Sequence, residues 1–276
     1  MLLHIVMVAV NNADMTRKAI ESISTRYEYE LHLIDQASSE DFGHIEGDYK
    51  RFDPMVSLSE AWNYGIQKSL EDKECKYIFI PNNDVFFHHE TIDTLIKGID
   101  SLRYLMVTGE NVQPKMSLED MMNDTKPGDW NEDSKPITSW MEQGPDFSCF
   151  MITPETIEKI GFFDENFAPA YCEDQCYHMR IIRSGNIAKR LTTAPYYHYA
   201  SQTMAKNMHL VGMISEGHNR NKGYYREKWG ADHADCLEGR GFMTPYGEEN
   251  RSVRYWRGVE KYYDFEVKRF GRVIST

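Results

Sequence analysis

Long apolar runs are missing from this chain of 276 residues. No run reaches 18 apolar residues, so we expect no segment that spans a bilayer. The first ten residues are apolar but short, and neither a basic leader nor a small-residue cleavage site accompanies them. We therefore interpret them as a buried first strand and not as a signal peptide.

Cysteine is also scarce. The five cysteines, Cys75, Cys149, Cys172, Cys176 and Cys236, are odd in number, irregularly spaced and without a Cys-x-x-Cys pair. This pattern predicts reduced thiols in a cytoplasmic protein. Cys172 and Cys176 are four residues apart, but no further cysteine or histidine lies at a spacing typical of a metal site, so we predict none there.

Internal repeats and low-complexity segments are absent, which excludes a solenoid and argues against long disorder. Apolar residues make up 41% of the chain, enough for the core of one large domain. The net charge of −12 disfavours polyanion binding over the whole surface, although a local basic patch is not excluded by it.

The segment 251–272 departs from this acidic background. It holds seven Arg or Lys residues against three acids, interleaved with aromatic side chains. Such a segment binds nucleic acid through phosphate contacts and stacking, or contacts a membrane surface, or packs its rings on the core and leaves its cations in solvent. The sequence leaves these three interpretations open.

Strand and helix patterns alternate over the first 110 residues. Near-continuous apolar runs predict strands buried on both faces, and segments with apolar residues at helical spacing separate them. The strands are 3–10, 29–34, 76–80 and 105–108, and the helices are 15–25, 57–70 and 91–102. This alternation predicts an α/β fold with a parallel, doubly wound sheet.

Polar side chains follow the first three of these strands. Asn11, Asp35 and Asp84 stand just after them, and ligands of open α/β sheets bind outside the carboxyl ends of the strands. A carboxylate such as Asp84 can hold a divalent cation that neutralises a nucleotide diphosphate. The run Pro81-Asn82-Asn83-Asp84 is equally good turn chemistry.

The second half of the chain adds a long loop and a helix with an acidic start. Residues 111–143 are polar and irregular, which predicts a lid or a surface insertion. A strand is predicted at 144–153, and a helix at 173–184 begins with Glu173 and Asp174. Adjacent carboxylates there complement the helix dipole, and one of them can equally serve as a general base.

Seven segments, taken in chain order, resemble glycosyltransferase family 2 of the GT-A fold over roughly residues 3–230. They are the first strand with Asn11-Asn12 and the helix after it, Asp35-Gln36-Ala37-Ser38-Ser39, Ala61-Trp62-Asn63-Tyr64-Gly65-Ile66, Pro81-Asn82-Asn83-Asp84, 160–165 with Glu173-Asp174, Tyr196-Tyr197-His198 with 201–203, and 224–230. The implied fold is a Rossmann-like, mostly parallel sheet flanked by helices. We predict a GT-A domain at 1–232 and an aromatic, basic C-terminal appendage at 233–276.

The resemblance implies catalytic and metal-binding roles. Asp174 would be the general base that takes a proton from the acceptor hydroxyl, and Glu173 would support it. Asp84 and His198 would hold a divalent cation, Mn²⁺ or Mg²⁺, and an imidazole ligand favours Mn²⁺.

It also implies a nucleotide site formed by Asn11, Asp35, Asn63 and Asn83, in which Asp35 accepts a hydrogen bond from the base, typically uracil. The implied reaction is an inverting, metal-dependent transfer of a sugar from a nucleotide-sugar donor, a UDP-sugar in the usual case. The acceptor hydroxyl would belong to a glycan or to a hydroxylated DNA base.

Two residues depart from the family pattern. Asn82 stands where the metal-binding motif usually has its first Asp, and Cys176 stands where a further acid often follows the Glu-Asp pair. The loss of charge at Asn82 leaves room for a non-catalytic sugar- or nucleic-acid-binding module on the same fold. A nucleotidyltransferase is disfavoured because residues 11–14 form no glycine-rich phosphate loop.

Overall fold

The computed structural model describes residues 2–102, 104–113, 117–123, 145–199 and 208–241. Most of the predicted loop at 111–143 and the basic segment 251–272 lie outside the described residues, as do residues 201–203. In the described part of the chain, no helix is both long enough and apolar enough to cross a bilayer.

One sheet of eight strands forms the centre of the described structure. The strands are β1 (Leu3–Ala9), β2 (Tyr29–Gln36), β3 (Asp48–Phe52), β4 (Tyr77–Pro81), β5 (Val85–Phe87), β6 (Met106–Asn111), β7 (Cys149–Ile152) and β8 (Ala188–His198). Their order is β3-β2-β1-β4-β7-β6-β8-β5. β1, β2, β3 and β4 run parallel, and β7 lies antiparallel between β4 and β6. β8 is parallel to β6 and antiparallel to β5.

Helices cover both faces of the sheet. They are α1 (Ala13–Glu21), α2 (Leu58–Glu71), α3 (Thr91–Leu102), α4 (Leu118–Asn123), α5 (Pro154–Ile160), α6 (Glu173–Arg183), α7 (Met208–Trp229) and α8 (His233–Leu237). The apolar sides of α1 and α3 pack on one face, and those of α2, α5 and α6 pack on the other. The predicted α/β fold, a mostly parallel sheet flanked by helices, is confirmed.

A third apolar cluster lies outside the sheet, between α6, α7 and α8. Its largest side chain is Trp229, which is fully buried at the end of α7. Met179 of α6 and Cys236 of α8 pack in the same cluster. The start of the predicted appendage at residue 233 therefore packs against the helices that precede it, and residues 242–276 lie outside the described residues.

The contact between α2 and β1 leaves no space for a side chain at Gly65. A Cβ atom built there would lie 2.2 Å from Cγ1 of Val6, on the strand whose carboxyl end opens the candidate site. Gly223 of α7 is the opposite case, because it is exposed and a Cβ atom would meet nothing within 4 Å.

We expect Gly65→Ala and Gly223→Ala to change the free energy of unfolding in opposite directions. Gly65→Ala overpacks the interface and should destabilise the protein by about 1–3 kcal/mol. Gly223→Ala improves helix propensity without a clash and should stabilise it by up to about 1 kcal/mol. Urea denaturation of the two variants measures both values, and equal effects at the two positions would contradict this packing.

Candidate active site

A cavity of about 660 Å³ opens at the carboxyl ends of β1 and β4. Its wall combines groups from the first half of the chain with groups from α6, α7 and the loop before α6. The lining residues that carry the argument are Gln36, Asn83, Asp84, Asp146, Tyr171, Glu173, Asp174, His178, His198, Leu210, Ile214 and His233. This is the position at which parallel α/β sheets bind ligands.

Asp84 and His198 meet in this cavity, as the sequence predicted for a metal pair. The antiparallel pairing of β5 with β8 sets Val85 opposite His198, which brings the Oδ1 atom of Asp84 to 3.1 Å from Nε2 of His198. Burial alone lowers the pKa of His198. The hydrogen bond and charge of Asp84, together with the charge of Asp146, outweigh burial and raise that pKa.

The donor set at this pair fits a divalent cation. A carboxylate oxygen and an imidazole nitrogen face each other across one hydrogen bond, and Asp146 adds a second carboxylate to the same cavity wall. Mixed oxygen and nitrogen ligands suit Mn²⁺ better than Mg²⁺, which prefers oxygen alone. In such a complex the cation would replace the proton between Asp84 and His198.

Glu173 and Asp174 begin α6 and lie at the same cavity. Glu173 is buried, and its Oε2 atom has no hydrogen-bond partner in the described structure. Burial, and then the charge of Asp174, raise the pKa of Glu173 well above its usual value. Asp174 accepts a hydrogen bond from the backbone N–H of Gln175 at 2.7 Å on Oδ1. Burial also raises the pKa of Asp174.

The backbone before α6 is strained. Tyr171 and Cys172 have φ angles of 77° and 75°, a left-handed conformation that costs on the order of 1–3 kcal/mol for each residue other than glycine. Asn221 of α7 holds this turn, because its Nδ2 atom donates to the carbonyl oxygens of Ala170 at 2.9 Å and of Tyr171 at 3.0 Å. The direction in which the Glu173-Asp174 pair enters the cavity therefore depends on α7.

A buried ion pair fixes α7 to the same loop. Nζ of Lys228 lies 2.7 Å from Oδ2 of Asp164, and neither side chain is more than 1% exposed. The hydroxyl group of Tyr224 donates to the same oxygen at 2.9 Å, and the backbone N–H of Asn166 donates to Oδ1 at 3.1 Å. Burial alone raises the pKa of Asp164, but the charge of Lys228 and these hydrogen bonds lower it overall.

Asp35 lies behind the cavity wall and is fully buried. Its Oδ2 atom accepts hydrogen bonds from Tyr49 and Arg51, both at 2.7 Å, and its Oδ1 atom accepts one from the backbone N–H of Ser38 at 2.9 Å. Burial alone raises the pKa of Asp35, and these hydrogen bonds lower it. The neighbouring Gln36 lines the cavity instead, a residue that the sequence analysis did not select.

Gln36 was detectable in principle, since adjacent side chains of a strand point to opposite faces. Its Oε1 atom accepts a hydrogen bond from the backbone N–H of Val56 at 2.9 Å. A backbone donor must face the amide oxygen, so the orientation of the amide is determined and the Nε2 donor is directed away from Val56.

The three asparagines of the predicted nucleotide site have different surroundings. Asn83 lines the cavity and donates to Oγ1 of Thr16 at 2.9 Å. Asn11 accepts a hydrogen bond from the backbone N–H of Ser39 at 2.7 Å and ties the turn after β1 to the turn after β2. Nucleotide binding by Asn11, Asp35 and Asn83 stays a prediction.

Asn63 lies in the interior rather than at the cavity wall. Its Oδ1 atom accepts from the backbone N–H of Phe163, and its Nδ2 atom donates to the carbonyl oxygen of Phe163, both at 2.8 Å. Nδ2 also donates to Glu165 at 3.0 Å. In this structure Asn63 therefore joins α2 to the loop before α6, and nucleotide binding by Asn63 stays a prediction.

Another histidine cluster lies near the opposite end of β1. In the described residues, the one group of three potential metal ligands whose ligand atoms all lie within 4.8 Å of one another is His4, Glu30 and His32. Nδ1 of His4 is 3.0 Å from Nε2 of His32, and the two rings are inclined by 6°. Asp72 and Asp48 contact the outer ring nitrogens at 3.3 and 3.4 Å. This geometry is a hydrogen-bonded chain, and its position at the start of β1 separates it from Asp84.

Comparison with known proteins supports the fold. Residues 4–161 match the family described as Glycosyl transferase family 2. A crystal structure of S. aureus TarS 1-349 is 14% identical with a TM-score of 0.51, and the alignment covers 78% of this chain and 65% of that one. The same protein in complex with UDP-GlcNAc gives 14% identity, a TM-score of 0.50, and coverage of 71% and 58%. No curated protein matches.

We expect Lys228→Met to destabilise the protein by about 3–5 kcal/mol, because it leaves the carboxylate of Asp164 buried without its partner. The double variant Lys228→Met, Asp164→Asn removes both charges and should recover much of this loss. Guanidinium denaturation measures the free energy of unfolding of each variant.

Arg226→Met is the matched control on the same helix. Arg226 pairs with Asp232 at 2.6 Å in an exposed position, where ion pairs contribute little. Its loss should hardly move the denaturation midpoint. If Lys228→Met were as mild as this control, the buried pair would not hold α7 in place.

Proposed function

Since this chain belongs to glycosyl transferase family 2, we propose that it transfers a sugar from a nucleotide-sugar donor to an acceptor hydroxyl group. One observation carries the proposal: the Asp84–His198 pair and the carboxylate of Asp174 line one cavity at the carboxyl ends of β1 and β4. We propose a UDP-sugar as the donor, with support from the structural likeness to TarS, which has been solved with UDP-GlcNAc.

Asp174 acts as the general base in this proposal. The N–H of Gln175 donates to Oδ1 of Asp174, and in this proposal Oδ2 receives the proton of the acceptor hydroxyl. Burial raises its pKa and so makes it a stronger proton acceptor than an exposed carboxylate. Glu173 is the more deeply buried of the two, and burial together with the charge of Asp174 raises its pKa well above the usual value, which favours ionisation at Asp174 over ionisation at Glu173.

A divalent cation completes the donor end. Besides Glu173, three acids line the cavity, Asp84, Asp146 and Asp174, so a diphosphate would be repelled without a compensating charge. Asp84 and His198 would hold the cation. When bound, it stabilises the negative charge on the leaving nucleotide diphosphate.

The stereochemical course we propose is inversion by a single displacement. Asp174 then needs only to remove a proton from the acceptor hydroxyl. The oxygen of that hydroxyl bonds to the anomeric carbon while the bond from this carbon to the nucleoside diphosphate breaks. The five free thiols support the proposal that the enzyme works in the cytoplasm. The alignment covers 65% of the TarS structure, so we assign no acceptor of TarS to this chain.

We expect release of the nucleoside diphosphate from one nucleotide sugar in the presence of Mn²⁺, and loss of this release in EDTA. Asp84→Asn should weaken Mn²⁺ binding, measured by calorimetry, and reduce release at limiting Mn²⁺ because a charged ligand is removed. Re-addition of Mn²⁺ to the EDTA-treated enzyme is the control. Full release in EDTA would exclude the metal role, and donor binding without release under any metal would favour a binding module.

We expect Asp174→Asn to lower the rate of transfer by about 10²–10⁴-fold, while the donor still binds, because the amide cannot accept the proton. In the unmodified enzyme the rate should fall as pH decreases through the raised pKa of Asp174, since the base must be ionised. Asp235→Asn on the exposed side of α8 is the control. Undiminished transfer by Asp174→Asn would remove it as the base.

A further inference from the structure

The half of the cavity beyond Asp174 has a chemical character of its own. We propose that Tyr171 and the uncharged wall beside it form the acceptor subsite, and that the acceptor is a neutral carbohydrate. This inference rests on the proposed function and specifies its second substrate. It is carried by the lining of the cavity, the exposure of one aromatic ring and the contacts that hold that ring in place.

The wall of this half is apolar and without formal charge in the described residues. Leu210 and Ile214 of α7 line it together with Pro169. Two imidazoles complete it, His178 and His233, whose rings lie 5.5 Å apart. Burial lowers the pKa of His178 to about 3 and that of His233 to about 4, so both rings are neutral at physiological pH.

Cationic side chains are scarce in the described lining of the cavity. Among the described lining residues, Arg190 carries the one guanidinium or ammonium group, and it is paired with Glu110 at 3.1 Å. Arg220 and Lys222 of α7 lie outside the cavity lining, and Arg220 donates to the carbonyl oxygen of Ala168. Within the described lining, a phosphodiester acceptor would meet one cation, and that cation is already paired with Glu110.

Tyr171 lies at the cavity, is 43% exposed and has a strained backbone conformation. Its ring contacts that of His218 with centroids 4.8 Å apart. Asn221 holds the carbonyl of Tyr171, and the N–H of Leu58 donates to the carbonyl oxygen of Pro169 at 2.8 Å. Strain that is retained by surrounding contacts is typical of functional sites.

The chemistry of this surface matches one face of a sugar ring. A pyranose ring presents C–H groups on its face and hydroxyl groups at its edge. An exposed tyrosine ring offers a flat, apolar partner for that face, as aromatic side chains do where one side is apolar and the other is wet. Because Asp174 follows Tyr171 by three residues and lines the same cavity, a sugar stacked there would present a hydroxyl group near the base.

The test separates acceptor use from donor use. Release of the nucleoside diphosphate is measured with the nucleotide sugar alone. It is then measured with neutral probes, the methyl β-glycosides of glucose, galactose and N-acetylglucosamine. We expect at least one neutral probe to accelerate release. In Tyr171→Ala the KM of that probe should rise by about three- to tenfold, the loss expected for one aromatic contact. Tyr171→Phe keeps the ring and should retain the KM of the unmodified enzyme.

A matched pair on α7 tests how Tyr171 is positioned. Asn221→Ala removes both hydrogen bonds to the strained turn, whereas Asn219, two residues earlier on the same helix, is exposed. We expect Asn221→Ala to raise the acceptor KM and lower kcat for transfer with little effect on donor KM, and Asn219→Ala to change none of these. Circular dichroism confirms that both variants are folded.

Several outcomes would overturn the inference without touching the proposed function. The first is release of the nucleoside diphosphate that no neutral probe accelerates. The second is an unchanged acceptor KM in Tyr171→Ala. The third is preference for an anionic probe such as an oligodeoxynucleotide with 5-hydroxymethylcytosine. If no nucleotide sugar is consumed under any metal, the proposed function fails, and the acceptor subsite fails with it. Measuring release without acceptor first distinguishes these two cases.

Discussion

The buried ion pair between Lys228 and Asp164 is the contact on which the geometry of the site depends. Two charges without solvent are tolerated only when each is fully partnered, and Asp164 meets Lys228, Tyr224 and Asn166. The pair fixes the end of α7 to the loop before α6, and Asn221 extends the attachment to the strained turn. Because Glu173 and Asp174 follow that turn directly, the proposed general base is attached to α7 through the same contacts.

The cavity divides into two electrostatic environments that suit the two substrates of a transfer reaction. The end near β4 and β8 gathers carboxylates, and the proposed cation would compensate the negative charge of both these carboxylates and the diphosphate. In the described residues the end near α7 is apolar and neutral, which suits the proposed recognition of the acceptor by shape and stacking. Asp174 lies between these environments, where burial increases its affinity for a proton.

The sequence predicted those parts of the fold that local pattern determines. β1, β2 and β4 are buried on both faces, so their apolar runs were unmistakable. β3 was not predicted because its residues Lys50 and Arg51 lie at a half-exposed edge. The hydrogen bond from Arg51 to Asp35 was therefore not predicted either. α7 was not predicted because its glycines, asparagines and histidines have weak helix propensity. Its helix is specified by tertiary contacts such as that of Trp229, which a single sequence does not display.

The five thiols can report on local unfolding of the protein. All are buried, and burial raises the pKa of Cys75 and of Cys172 to about 12 and raises that of the other three as well. Since the thiolate is the reactive form, an alkylating reagent modifies these groups only when the structure opens locally. Cys75 reports on the layer beneath α2, Cys149 on the centre of the sheet, and Cys172, Cys176 and Cys236 on the cluster between α6, α7 and α8. The chain thus carries native probes of three separate regions, whose labelling rates rank the order in which those regions unfold.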